Sequence, residues 1–177
     1  MKIITGIGRS GTSVLTEYAK QCGLNVGKTK WIPQYDAGNE SQEMMEINNH
    51  LFKLGAGSGI NARVRALNLD VVKDPLFIRN VNIVKTWWSL RKDIEIIYCE
   101  RPFQDIADSQ KRKPQMTCPA YRCFVDEMEQ IQTDFLLTCG EIGIPFTILK
   151  YPYSSYKVVN KLLGIVNDGE IFKNLMK

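Results

Sequence analysis

The chain has 177 residues, 23 Lys and Arg against 19 Asp and Glu, a net charge of +4 and a single histidine. One His and five Cys exclude a multi-ligand His/Cys metal centre, and a Ser-His-Asp hydrolase survives only if His50 serves it. A chain of this length buries roughly 70% of its extended surface on folding. Residues 1–177 therefore read as one domain, and so slight a basicity suits a small anionic ligand better than nucleic acid.

The cysteines are odd in number and form no C-x-x-C pair. Met1–Gly11 turns glycine-rich after a short apolar stretch, which leaves no room for a signal-peptide core, and no apolar run reaches the roughly 18 residues of a membrane span. These features predict a soluble, cytoplasmic protein with reduced thiols and no stable membrane insertion.

Lys2-Ile3-Ile4-Thr5 predicts a first buried strand. After it, Val14, Leu15, Tyr18, Ala19 and Cys22 share one helical face that stops at Gly23. Met44, Ile47, Leu51 and Leu54 repeat at helical spacing, Gly55–Gly59 predicts a mobile loop, and Arg63 and Arg65 read as surface-loop residues. Leu69–Lys73 predicts the second strand, Trp87 and Trp88 pack a short helix, and Ile94–Cys99 is the third strand. Pro102 suits the start of a helix. Tyr121, Phe124, Met128, Ile131 and Phe135 mark the longest helix, Phe146–Lys150 the fourth strand, and Val158, Val159, Leu162 and Leu163 a last helix ending at Gly164. Alternating strands and helices predict an α/β fold of three layers: a central parallel sheet of about four or five strands with helices on both faces. Ligands of such sheets bind beyond the carboxyl ends of the strands.

Two stretches stand at such ends. Gly6-Ile7-Gly8-Arg9-Ser10-Gly11-Thr12-Ser13 follows the first strand with the spacing of a P-loop, G-x-x-x-x-G-K-[ST], but Thr12 stands where Lys belongs. Its glycines and the following helix N-terminus still make an anion cradle, with Arg9 as its cation, on a P-loop NTPase-like fold. The competing reading is a tight turn that binds nothing. After the third strand, Arg101 precedes Pro102, and Ser109 lies two helical turns on, near the same face, so guanidinium and hydroxyl can grip one phosphate. Taken alone, Arg101 pairing with Asp105 or Asp108, beside a solvated helix serine, is the better account.

Gly8-Arg9-Ser10-Gly11-Thr12-Ser13-Val14-Leu15 resembles the 5′-phosphosulfate loop of sulfotransferases, [KR]-S-G-T-[TS]-x-L, and Arg101 with Ser109 resembles that family's 3′-phosphate motif. Weaker likenesses accompany these two. They are Lys73-Asp74-Pro75, Gly38-Asn39-Glu40 with Asn48 and Leu51-Phe52, and Ile148–Tyr151 with Leu162–Ile165. Pro152 departs from the usual Glu, and the C-terminal basic-Gly motif of eukaryotic cytosolic members is missing. The resemblance implies 3′-phosphoadenosine 5′-phosphosulfate (PAPS) as donor, 3′,5′-ADP as product, no metal, and a small-molecule or glycan acceptor. It implies Gly8, Arg9, Ser10, Gly11, Thr12, Ser13, Arg101 and Ser109 as donor-binding residues, and Arg9 and Lys73 as the cations at the reacting group.

Sulfuryl transfer also needs a base for the acceptor proton. Pro75 holds the place of the family's histidine, so Glu40 is the first candidate and Asp74 the second, while His50 reads as a solvated helix residue. Two rivals stay open: a P-loop nucleotide kinase or NTPase, with Asp74 holding Mg²⁺ and Arg9 replacing the lysine, and a catalytically lapsed nucleotide-binding protein.

Overall fold

Four short apolar runs become the strands of one parallel sheet. In the computed structural model, which describes residues 1–29, 31–32, 37–75, 77–112, 125–167 and 169–177, these are β1 (Lys2–Thr5), β4 (Val71–Lys73), β5 (Glu95–Glu100) and β6 (Phe146–Lys150). The order across the sheet is β4-β1-β5-β6. Between β1 and β4 lie α1 (Thr12–Gln21), a two-residue antiparallel ladder of β2 (Trp31–Ile32) and β3 (Ala37–Gly38), α2 (Gln42–Leu54) and α3 (Ser58–Ala66). A 3-10 turn (Phe77–Arg79) and α4 (Val81–Leu90) lead to β5, and α5 (Phe103–Arg112) and α6 (Val125–Ile142) lead to β6. Then come α7 (Tyr156–Leu163) and α8 (Glu170–Leu175).

Alternation along the strands divides the core in two. Ile3, Val72, Ile96 and Tyr98 face a cluster with Met44, Ile47, Phe77, Trp87 and Phe135, contributed by α2, the 3-10 turn, α4 and α6. Ile4, Val71, Ile97 and Cys99 face the opposite cluster, with Val14, Leu15 and Tyr18 of α1, Val159 of α7 and Phe172 of α8. This is the expected α/β arrangement, a parallel sheet flanked by helices, with four strands among the described residues.

Several local expectations change. Gly57 and Ser58 open a helix instead of continuing a loop, so Arg63 and Arg65 ride on α3, and Arg63 pairs with Glu46 of α2 at 2.9 Å. Leu54 is 75% exposed at the frayed end of α2, whereas Met44, Ile47 and Leu51 are buried as their spacing requires. In the longest helix Met128 and Phe135 are buried; Tyr121 and Phe124 lie outside the described residues.

Chain order β1, β4, β5 fills the sheet first on one side of β1 and then on the other. The two outgoing connections therefore part between β1 and β5, which opens a crevice at their carboxyl ends. The loop Gly6–Gly11 leaves β1 at this point and Arg101 leaves β5.

Candidate functional site

The loop after β1 is held by backbone geometry that few residues tolerate. Ser10 N–H donates to Ile7 O at 3.0 Å, and Arg9, at the third position of that turn, has φ 77°. A side chain in the left-handed region is uncommon outside glycine and costs on the order of 1 kcal/mol. Two contacts hold it there: Arg9 Nε donates to Ser109 Oγ at 3.1 Å, and Arg101 Nη1 donates to Arg9 O at 3.1 Å. A Cβ on Gly6 would lie 2.5 Å from Cys99 O and 2.5 Å from Ser10 Oγ, and one on Gly11 (φ 94°) would lie 2.3 Å from the Tyr151 ring. Glycine is therefore required at both positions by close approach, and at Gly11 by φ as well.

Arg9, Gly11, Thr12, Ser13, Arg101 and Tyr151 surround a small cleft at the N-terminus of α1. Its volume of about 40 Å³ has room for about three waters, or one oxyanion group, but not for a nucleotide. Arg101 and Tyr151 are also walls of a second cavity of about 370 Å³, completed by Glu100, Phe103, Gln132 and Lys150. The Tyr151 ring covers the Arg101 guanidinium at 5.1 Å. Two buried polar atoms at this junction, Ser10 Oγ and Arg101 Nε, have no hydrogen-bond partner. Such atoms are rare in a packed interior.

A lysine from another strand reaches the helix that follows the loop. Lys73, the last residue of β4, sends Nζ to Ser13 Oγ at 2.8 Å, to Glu40 Oε1 at 2.7 Å and to the Gly38 carbonyl. Those three acceptors use every hydrogen of the ammonium. Burial pushes the Lys73 ammonium below the ordinary lysine range, while Glu40 and, more weakly, Asp74 oppose that shift. Glu40 is held in reach by its neighbour Asn39, which takes φ 63° and donates from Nδ2 to Glu17 Oε2 at 2.8 Å.

Asp74 turns to the other face of the sheet. Its Oδ2 accepts from Asn48 Nδ2 at 2.7 Å, and Asn48 Oδ1 accepts from Trp87 Nε1 at 2.7 Å, so a buried relay joins α4, α2 and the end of β4. Asp74 and Asn48 line a cavity of about 380 Å³ between α2, the 3-10 turn and α4.

Loop and helix thus bring Arg9, Ser10, Gly11, Thr12, Ser13, Arg101 and Ser109 together, with Gly8 inside the Ile7–Ser10 turn and Lys73 and Glu40 at its margin. Of the two alternative partners for Arg101, Asp108 is otherwise engaged: it accepts from Gln104 at 3.1 Å and pairs with Lys111 at 3.6 Å. His50 is exposed on α2, and Lys111 and Arg112 are exposed at the end of α5, with Lys113 outside the described residues. Sequence reasoning missed the roles of Tyr151, Glu17, Asn39 and Trp87.

No family model and no curated protein sequence matches this chain. Fold and site define an α/β protein whose cationic side chains Arg9, Lys73 and Arg101 gather at the carboxyl edge of a parallel sheet. Among the described residues, no helix is long and apolar enough to cross a membrane.

Proposed function

We propose that the chain is a sulfotransferase on a P-loop-like fold, which moves a sulfuryl group from PAPS to a hydroxyl or amine. The observation that carries this reading is the joining of the two motif residues, Arg9 Nε to Ser109 Oγ at 3.1 Å, beside the unpartnered Ser10 Oγ and Arg101 Nε. The site suits a donor bearing two separate anionic groups: the α1 N-terminus, Arg9 and, through its charge, Lys73 for one, Arg101 and Ser109 for the other, with the adjoining cavity of about 370 Å³ left for the rest of the donor. Bound there, the donor supplies an activated sulfuryl group: the acceptor atom bonds to sulfur, the bond from sulfur to the 5′-phosphate oxygen breaks, and 3′,5′-ADP leaves. Arg9 and Lys73 carry the positive charge that offsets charge on the departing oxygen. The acceptor proton passes to one of the two carboxylates beside Lys73: Glu40, which follows β3, or Asp74, which follows β4.

Calorimetry with 3′,5′-ADP against Mg-ATP tests the reading. The expected result is metal-independent 3′,5′-ADP binding that weakens roughly tenfold to a hundredfold in Arg101→Ala. Mg-dependent ATP binding with no response to 3′,5′-ADP would overturn it in favour of a kinase or NTPase. Transfer of radiolabelled sulfate to a panel of acceptors then separates an enzyme from a lapsed binder.

A further inference from the structure

We infer that β6 is a self-association edge: two copies of the chain pair their β6 strands antiparallel about Ile148, so that one sheet runs through both. This is independent of the reaction proposed above.

The two edges of the sheet are treated differently. At the β4 edge the outward groups are taken. Val71 N–H donates to Asn25 O at 3.3 Å, Lys73 N–H donates to Ser41 Oγ at 3.1 Å, and Lys73 O accepts from Ser41 N–H at 2.9 Å. β6 stands at the other side of the sheet and pairs with β5. Ile96 N–H donates to Pro145 O at 2.8 Å and Tyr151 N–H to Glu100 O at 2.7 Å, which sets the phase of that ladder. Alternate residues of a parallel strand bond to the same neighbour. Pro145, Thr147, Leu149 and Tyr151 therefore face β5, and the N–H and C=O groups of Phe146, Ile148 and Lys150 point away from it. No backbone group among the described residues bonds to them.

The side chains of the same three residues are uncovered. Phe146 is 38% exposed, Ile148 41% and Lys150 85%. They share the face on which Ile96 and Tyr98 meet α6, yet neither Phe146 nor Ile148 belongs to that core cluster. An open strand edge with an apolar face is a template for another chain, and proteins blunt such edges with proline or charge. Here neither blocks pairing: Pro145 lies in the phase that faces β5, and Lys150 is the one charge in the strand and stands at its end.

The strand is complementary to itself. About a two-fold axis at Ile148, that residue meets Ile148 of the second copy, and Phe146 meets Lys150 of the second copy. All three outward residues then exchange N–H···O bonds with their opposites. Each ammonium lies opposite a phenylalanine, whereas a register centred on Lys150 would oppose the two ammonium groups. The contact is isologous and closes at two chains. Lys150 is also a wall of the cavity of about 370 Å³ beside Arg101, so Phe146 of the second copy comes to its rim. Five residues a side bury far less than the roughly 1,600 Å² of a standard interface, so the dimer is reversible.

Sedimentation equilibrium of the whole chain from about 10 μM to 1 mM spans the affinities that so small an interface allows. The expected result is a mass that rises with concentration from one chain toward two. Ile148→Lys sets two ammonium groups face to face and should weaken association roughly tenfold or more. An equimolar mixture of Ile148→Lys and Ile148→Glu should associate more tightly than either variant alone, because the register opposes the two positions. Phe146→Lys and Phe146→Glu are the second pair, used if the variants at 148 lack a cooperative thermal transition. Opposite Lys150, the lysine should weaken association more than the glutamate does. A monomer at every concentration overturns the inference. So does association that Ile148→Lys leaves unchanged, or a mixture that behaves as its separate components.

Discussion

The Lys73 ammonium stands 2.7 Å from the Glu40 carboxylate, with 2% of the lysine side chain exposed against 29% of the glutamate's. The desolvation cost of this pair therefore falls almost wholly on the lysine. An apolar side chain in place of the buried lysine removes its desolvation cost and leaves unpaired only the part-exposed carboxylate, whereas stripping the carboxylate leaves a buried charge uncompensated. Lys73→Met should keep the stability of the protein at pH 7 to within about 1 kcal/mol, and Glu40→Gln should lower it by about 1–2 kcal/mol. Thermal unfolding of the two variants checks the order; a less stable Lys73→Met overturns it. In Glu40→Gln the leading influence that raises the lysine's pKa is gone. The alkaline limb of any sulfuryl transfer that needs protonated Lys73 should then move to lower pH.

Gly11 and Tyr151 form the tightest approach in the site. Gly11→Ala adds a methyl that meets the ring at 2.3 Å while the backbone keeps φ 94°. A loss of about 1–3 kcal/mol is expected, together with weaker 3′,5′-ADP binding. Tyr151→Ala in the same chain removes the overlap but not the backbone strain. It should recover part of the lost stability and none of the stacking on Arg101. Full recovery would mean that the left-handed conformation carries no cost.

Asn48 bonds two buried groups at once, the Trp87 indole and the Asp74 carboxylate. In Asn48→Ala, Trp87 Nε1 loses its acceptor and Asp74 loses a donor, a cost of roughly 2–4 kcal/mol. Because the indole N–H and the amide act as one unit, Trp87→Phe should cost clearly less in the Asn48→Ala background than in the wild type. Strict additivity in urea unfolding would show that the relay is not a coupled network.

Alkaline pH should unfold the protein by a route the acid side lacks. Burial pushes Cys99 and Cys139 up to about 12 and raises Tyr98 and Tyr153 above the usual phenol range. Each keeps its proton more tightly when folded. The stability they contribute is intact below the ordinary values of 9.0 and 10.0 and is lost progressively as pH rises from there through the higher folded values. At neutral pH, iodoacetamide should modify Cys22, which is partly exposed, far faster than buried Cys99 or Cys139. Peptide mapping in a Cys118→Ser, Cys123→Ser background reads this directly, and equal labelling of Cys99 would contradict its burial.

The sequence made the frame of the fold legible where composition changes abruptly. β1 begins and ends at Lys2 and Thr5 and β6 at Phe146 and Lys150, as their apolar runs predict, because Gly, Pro or charge bounds each run. α7 stops at Gly164, whose φ of 73° caps it. α3 was illegible for a physical reason: it opens on Gly57, Ser58 and Gly59 and packs through only two buried side chains, Ile60 and Val64. Its stability comes from tertiary contact, not local propensity. In the site, helical spacing put Arg101 and Ser109 near one face. That Arg9 reaches Ser109 from a hundred residues away, or that Tyr151 roofs Gly11, depends on how strands are ordered in the sheet, which no local pattern carries.

β4 has only three residues, and its register against β1 pairs Lys2 with Val71, Ile3 with Val72 and Ile4 with Lys73. Bonds from Lys2 N–H to Asp70 O, from Asp74 N–H to Ile4 O and from Thr5 Oγ1 to Asp74 O pin both of its ends. A slip of one residue would exchange the faces of consecutive side chains. The carboxylate would then point at the cleft of Arg9 and Ser13, and the ammonium into the apolar cavity behind Asn48. The polarity of the whole carboxyl edge, which side carries the ammonium and which the carboxylate, is thus written in the parity of one short strand, and Thr5 is its lock.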